Sequence, residues 1–105
     1  MVIDNLEFVQ GKEFTITELM LLCENSEFNL TLKGFSNKYE VLIHCFNTSH
    51  LNIQNLSAPM QICGFEIICN KSKGWERTSN YTIHDFEENR IEFLCENIEI
   101  IVLNS

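Results

Sequence analysis

The stretch from Tyr81 to Leu103 alternates apolar and polar side chains with period two, and this constrains the fold more than any other feature of the chain. Two alternating runs, Tyr81–Phe86 and Arg90–Cys95, flank the polar turn Glu87-Glu88-Asn89, and a third run, Ile98–Leu103, follows almost at once. Ile91, Phe93 and Cys95 fall on one side of an extended chain, and Glu92, Leu94 and Glu96 on the other. Period-two alternation is the mark of a half-buried β-strand. The stretch therefore reads as a closing meander with Ile83, Ile91, Phe93, Ile98 and Ile100 as core anchors, and the upstream chain reads as further sheet that covers it.

The upstream segments support this. Phe28, Leu30 and Leu32 alternate against Asn29, Thr31 and Lys33 in a clear strand that ends at Gly34. Tyr39–Phe46 is apolar on both sides, which predicts a central strand covered on two faces. A short strand is expected around Leu51 and Ile53. Met60–Cys69 is another, with Ile62, Gly64, Glu66 and Ile68 opposed to Cys63, Phe65, Ile67 and Cys69. Two segments are ambiguous. Residues 1–10 fit a helix or a strand, and so does Glu13–Cys23, where Thr15 and Glu18 have capping-box spacing. For the latter the strand is preferred because β-branched Thr and Ile lead the run.

Pro59 cannot donate to a ladder and marks an edge or a boundary. With one Pro and four Gly, the turns must rely on Asn, Ser and Lys. The expectation is one β-rich domain over residues 1–105. It would be all-β or mostly β, an antiparallel β-sandwich or open barrel of about seven to eight short strands, with room for one short N-terminal helix. A short echo, Leu22-Cys23-Glu24-Asn25-Ser26-Glu27 against Leu94-Cys95-Glu96-Asn97-Ile98-Glu99, marks two strand ends.

Fifteen acidic against seven basic residues leave a net charge of −8, which disfavours nucleic acid and anionic membranes and favours basic partners. Five cysteines without CxxC spacing, most of them inside apolar runs, suit a reducing, cytoplasmic setting. The start of the chain lacks the basic leader of a signal peptide, and no run reaches the ~18 apolar residues of a membrane span. On that footing the N-x-S/T sequons at Asn29, Asn47, Asn55, Asn70 and Asn80 reflect Asn-rich composition rather than glycosylation.

No cluster of residues announces catalysis. His84 and Asp85, like His44 and Cys45, are sequence neighbours that a strand points to opposite faces. His84 is expected to be an exposed or locally hydrogen-bonded strand histidine, with pairing to a residue of another strand as the alternative, and His50 is expected to face solvent. Cys63 and Cys69, six apart, would lie about 20 Å from each other on a regular strand, too far to share a metal ion. No glycine-rich phosphate loop, HExxH or GxSxG is present, so no cofactor, metal or enzymatic activity is expected.

What remains are candidates for binding. The acidic residues of the meander are Asp85, Glu87, Glu88, Glu92, Glu96 and Glu99, of which Asp85, Glu87, Glu88 and Glu92 are the binding candidates, with Glu92 on the open face of its strand beside Leu94. Trp75 and Arg77, in the longest polar loop, are residue types enriched at interface hot spots. For Trp75 the preferred reading is that it folds back to plug one end of the sandwich, with stacking on a sugar as an alternative.

Several runs taken together, Phe46–Ile53, Gly64–Ile67, Gly74-Trp75, Tyr81–Glu87 and Ile91–Cys95, resemble small β-rich bacterial proteins, some of the toxin-immunity kind. The resemblance covers residues 46–100 and implies a cytosolic antidote that binds a toxin domain. The sequence thus predicts a non-enzymatic acidic domain that binds a protein partner, with a basic toxin domain as the suspected one. The alternatives are a small-ligand (sugar-like) binder that uses Trp75 and a subunit that self-associates, for instance as a homodimer.

Overall fold

The computed structural model describes residues 4–54, 60–71, 74 and 79–104. The chain is all-β. Its strands are β1 Lys12–Glu24, β2 Glu27–Ser36, β3 Tyr39–Phe46, β4 Ser49–Ile53, β5 Met60–Cys69, β6 Tyr81–Asp85, β7 Ile91–Cys95 and β8 Asn97–Asn104. All pair antiparallel in one eight-stranded sheet ordered β4-β7-β6-β5-β1-β2-β3-β8. The N-terminal helical element is a single 3-10 turn, Leu6–Phe8. The turns are built as the composition required, since Asn25, Ser26, Asn37, Asn47 and Asn89 all take positive φ.

β1 joins the two halves of the sheet. Its first part, Lys12–Ile16, pairs with β5, and Thr15–Glu24 pairs with β2. Between Ile16 and Glu18 the register slips by one residue, because Thr17 is an extra residue whose hydroxyl donates instead to the Lys33 carbonyl at 3.2 Å. Such a bulge bends the strand and reverses which side chains face inward. Phe14 and Ile16 are therefore buried before it, while Leu19 turns inward after it and Met20 and Leu22 turn out. β5 has a similar irregularity where it meets Lys12 and Phe14. Met60 and Ile62 face the core before it, and Phe65 and Ile67 after it. This corrects the single alternation expected over Met60–Cys69.

The core is one cluster fed by both halves of the sheet, with Phe14, Ile62, Phe65, Ile83, Ile91 and Phe93 packed with Leu30, Leu32, Val41, Ile43 and Cys45. Each fully buried side chain of this size contributes roughly 1.5–3 kcal/mol. Phe14 and Phe65 meet edge to face at 5.3 Å. Cys45 on β3 and Cys95 on β7 are buried next to each other, where the Glu96 N–H meets the Phe46 carbonyl at the ends of these two strands. Ile83, Ile91, Phe93 and Ile100 are buried and Ile98 is partly so, as their spacing predicts.

Two further expectations need correction. The closing stretch is not a three-stranded meander. β6 and β7 pair as a hairpin, but at Glu96 the backbone N–H donates to the Phe46 carbonyl at 2.9 Å, and the chain crosses to pair β8 with β3. Nor is β3 covered on both faces. Val41, Ile43 and Cys45 are buried, whereas Leu42 and His44 are half-buried and Phe46 is exposed.

Candidate functional site

The residues expected to bind a partner do not form one surface. Asp85 is buried: Oδ1 accepts the Glu87 N–H at 3.1 Å and Oδ2 the Arg90 N–H at 3.3 Å. Its carboxylate holds the β6–β7 turn and does not face a partner. Glu87 and Glu88 are exposed on that turn. With Asp85 and Glu13 they surround Cys63, whose thiol is pushed up from its ordinary value by desolvation first and by Glu13, Glu87, Glu88 and Asp85 after it. Glu92 is exposed on β7, opposite His84 on β6 and Asn52 on β4. It lines a separate hollow of about 370 Å³ with His50, Thr82, Phe93 and Leu94. Trp75 and Arg77 lie outside the described residues.

The histidines are all locally engaged. His84 Nε2 donates to Glu66 Oε1 at 2.7 Å across β5 and β6, so the cross-strand alternative holds in place of the preferred exposed or purely local histidine. His50 bonds the neighbouring Ser49 hydroxyl at 3.1 Å and is exposed. His44 Nδ1 bonds the Thr31 hydroxyl at 3.0 Å. Among the described residues no group of three or more His, Cys, Asp or Glu is placed to hold a metal ion.

The larger feature is on the outer face of β1, β2, β3 and β8. A groove of about 570 Å³ runs across it, lined by Met20, Leu22, Leu42, Phe46 and Leu103 together with Glu18, Glu24 and Glu99. The register explains this membership. Downstream of the Thr17 bulge, Glu18, Met20, Leu22 and Glu24 share one side of β1, and their partners on β2 include Lys33, Thr31 and Asn29. Leu42, His44 and Phe46 come up from β3 on the same side. Met20 is 43% exposed, Leu22 48%, Phe46 39% and Leu103 46%, so each leaves much of its apolar surface in water.

Among the described residues Lys33 is the one lysine or arginine of the groove wall, and Glu40 sits 3.9 Å from its ammonium. Between Met20 and Leu22 on β1 and Leu42 and Phe46 on β3, the β2 positions of the groove are the polar Lys33, Thr31 and Asn29, so apolar and polar side chains share this face, with Glu18, Glu24 and Glu99 adding negative charge. Exposed apolar surface bordered by polar side chains is a common feature of contact sites.

No family model, curated protein or solved structure matches the chain.

The groove's residues were hard to recognise in the sequence. The run Leu19-Met20-Leu21-Leu22 is apolar at every position, which neither a half-buried strand nor a surface helix requires. That excess beside the polar turn Glu24-Asn25-Ser26 was the available signal. It could not be assigned to a face without knowing of the bulge at Thr17.

Proposed function

We propose that this chain is a non-enzymatic, acidic protein-binding domain that holds a basic partner against its outer groove. In the fuller form of this reading it is a cytosolic antidote that occupies a basic toxin domain. The observation that carries the reading is the meeting of exposed Met20, Leu22, Phe46 and Leu103 with Glu18, Glu24 and Glu99 on one open face. The carboxylates would accelerate encounter with a cation-rich surface, and the exposed Met20, Leu22, Phe46 and Leu103 would supply the lasting contact. The net charge of −8 extends the same field beyond the groove. A sugar-binding reading would depend on Trp75, outside the described residues, and gains no support from the groove.

The test is to mix the purified protein with the product of the gene adjacent to its own. A stoichiometric complex that weakens with added salt, and protection from that product's toxicity, are expected. Replacing Glu18, Glu24 and Glu99 together by Lys should slow association by about tenfold or more while the fold is retained. Failure to form any complex, together with failure to protect, would remove the reading.

A further inference from the structure

The β1–β2 hairpin reaches beyond the rest of the sheet. β5 leaves β1 at Ile16, and β3 pairs with β2 only from Leu30 onward. From Leu19 to Glu24, β1 therefore has β2 on one side and, among the described residues, no strand on the other. Leu21, Leu22 and Phe28 are 43%, 48% and 50% exposed, so this arm is apolar on both faces. A long apolar edge is a template for strand pairing, and folds normally blunt it.

This fold does so elsewhere. Gln10 Oε1 accepts the Ile67 N–H at 2.8 Å and the Gly11 N–H donates to the Phe65 carbonyl at 2.8 Å, closing one flank of β5. Phe86 N–H and the Arg90 guanidinium cover Gly64 and Gln61 on its other flank, at 2.9 and 3.0 Å. The Asn5 side chain caps the Ile100 carbonyl of β8 at 2.8 Å.

The direction of the open backbone groups follows from the turn. Asn25 and Ser26, with φ of 51° and 66°, make a two-residue turn closed by the pair Glu24 and Glu27. Such a turn closes on a pair that exchanges both hydrogen bonds, and alternate pairs then do the same. Leu22, Met20 and Glu18 therefore bond to β2, while Leu19, Leu21 and Cys23 direct their N–H and C=O groups to the open side. The Phe28 carbonyl, opposite Cys23, likewise points away from β1 and accepts the Thr48 N–H.

We propose that this edge of β1 receives an extended segment of the partner as an added antiparallel strand. The segment would carry apolar side chains on the groove side, opposite Met20 and Leu22, and Lys or Arg opposite Glu18 and Glu24. The two carboxylates lie six residues apart on one face, about 20 Å along the strand. A second copy of this chain is a poor occupant. The antiparallel self-pairing centred on Leu21 sets Glu18 against Glu24 of the other copy at both ends, and like charges directly opposite repel. The proposal rests on the groove being a protein-binding face and specifies how that face is engaged.

The test uses the isotope-labelled full chain and the blocked peptide Lys-Thr-Val-Thr-Val-Thr-Lys, with its Glu-ended counterpart as control. The Lys peptide should shift the amide signals of Leu19, Leu21 and Cys23 and slow their hydrogen exchange, and the Glu peptide should bind at least about tenfold more weakly. Leu21→Pro removes an outward N–H that β2 does not use, so it should abolish binding, whereas Leu21→Thr should keep it. A Glu18→Lys, Glu24→Lys double variant should invert the peptide preference, which guards against misfolding of the Pro variant.

The proposal is overturned by the absence of binding at millimolar Lys peptide, or by equal binding to the Leu21→Pro variant. A concentration-dependent dimer that Leu21→Pro abolishes would overturn it in favour of a second copy. Applied to the partner protein, a complex lost on groove charge reversal but indifferent to Leu21→Pro would keep the function and discard the added strand.

Discussion

Gly34→Ala tests the geometry that creates the groove. Gly34 lies on β2 opposite Ile16, beside the bulge that turns β1 over. A Cβ there would overlap the Thr15 carbonyl oxygen and stand 2.8 Å from its carbon and 3.0 Å from Ile16 Cα. A relaxed C···O contact is about 3.3 Å or more, so the two strands must separate locally. The obstructing atoms are backbone and cannot rotate away. Overpacking of this kind costs about 1–3 kcal/mol and sometimes more, and a backbone clash sits at the upper end. Replacing Gly in a strand returns about 0.5–1 kcal/mol of conformational entropy. The net loss is therefore about 2–3 kcal/mol.

In urea unfolding, with m near 1–2 kcal/mol/M for a protein this small, the midpoint should fall by about 1–3 M. The internal control is Gly64→Ala. Its Cβ would meet the Phe86 ring at 2.9 Å and Glu87 Cγ at 2.8 Å, and both of those side chains are exposed and free to swing aside. That variant should lose less than about 1 kcal/mol. Equal midpoints for the two variants, or a Gly34→Ala midpoint matching the parent, would refute the close approach at the bulge.

Three other outcomes are expected. Asp85→Ala leaves the Glu87 and Arg90 N–H groups of the turn without their acceptor and should cost about 1–3 kcal/mol in the same urea assay, despite removing an acidic residue from an acidic chain. In thiol labelling followed by mass spectrometry, exposed Cys23 and Cys69 should react in the native state, Cys63 slowly, and buried Cys45 and Cys95 only on unfolding. Stability should also fall in alkali. Burial first, and then the Cys95 thiol, holds Cys45 well above its ordinary 9.0; Cys63 is raised from the same value, and Tyr81 is raised from 10.0 by burial and then by Cys69 and Cys95. Below about pH 9 both folded and unfolded chains keep these protons, so the groups add no pH dependence. Above it the unfolded chain releases them first, and the melting temperature should drop steadily between about pH 9 and pH 11.

The period-two runs determined the fold class, most of the strand positions and the core anchors of the closing stretch. Those follow from one physical rule, that alternate side chains of a strand face opposite ways, and it operates within a few residues. The ambiguous Glu13–Cys23 did become a strand, and its leading Thr and Ile were sufficient reason. Tertiary structure decided what that rule cannot reach. The echo Leu-Cys-Glu-Asn shows this well: at Glu24 it closes a tight hairpin, while at Glu96 it sends the chain across to β3, so the same residues end two strands in different ways.

The candidate site was legible only in part. The acidic balance points to a basic partner, but the carboxylates that the alternation singles out lie in the closing stretch, where Asp85 is buried in a turn and Glu92 lies apart from Glu87 and Glu88. The face with Glu18, Glu24 and Glu99 depends on two things that no local pattern contains. One extra residue at Thr17 inverts every side chain after it, and a glycine seventeen positions later makes room for the bend. A strand's own sequence sets its alternation, but bulges and pairing partners set which side is inside, because register is fixed by contacts between distant segments.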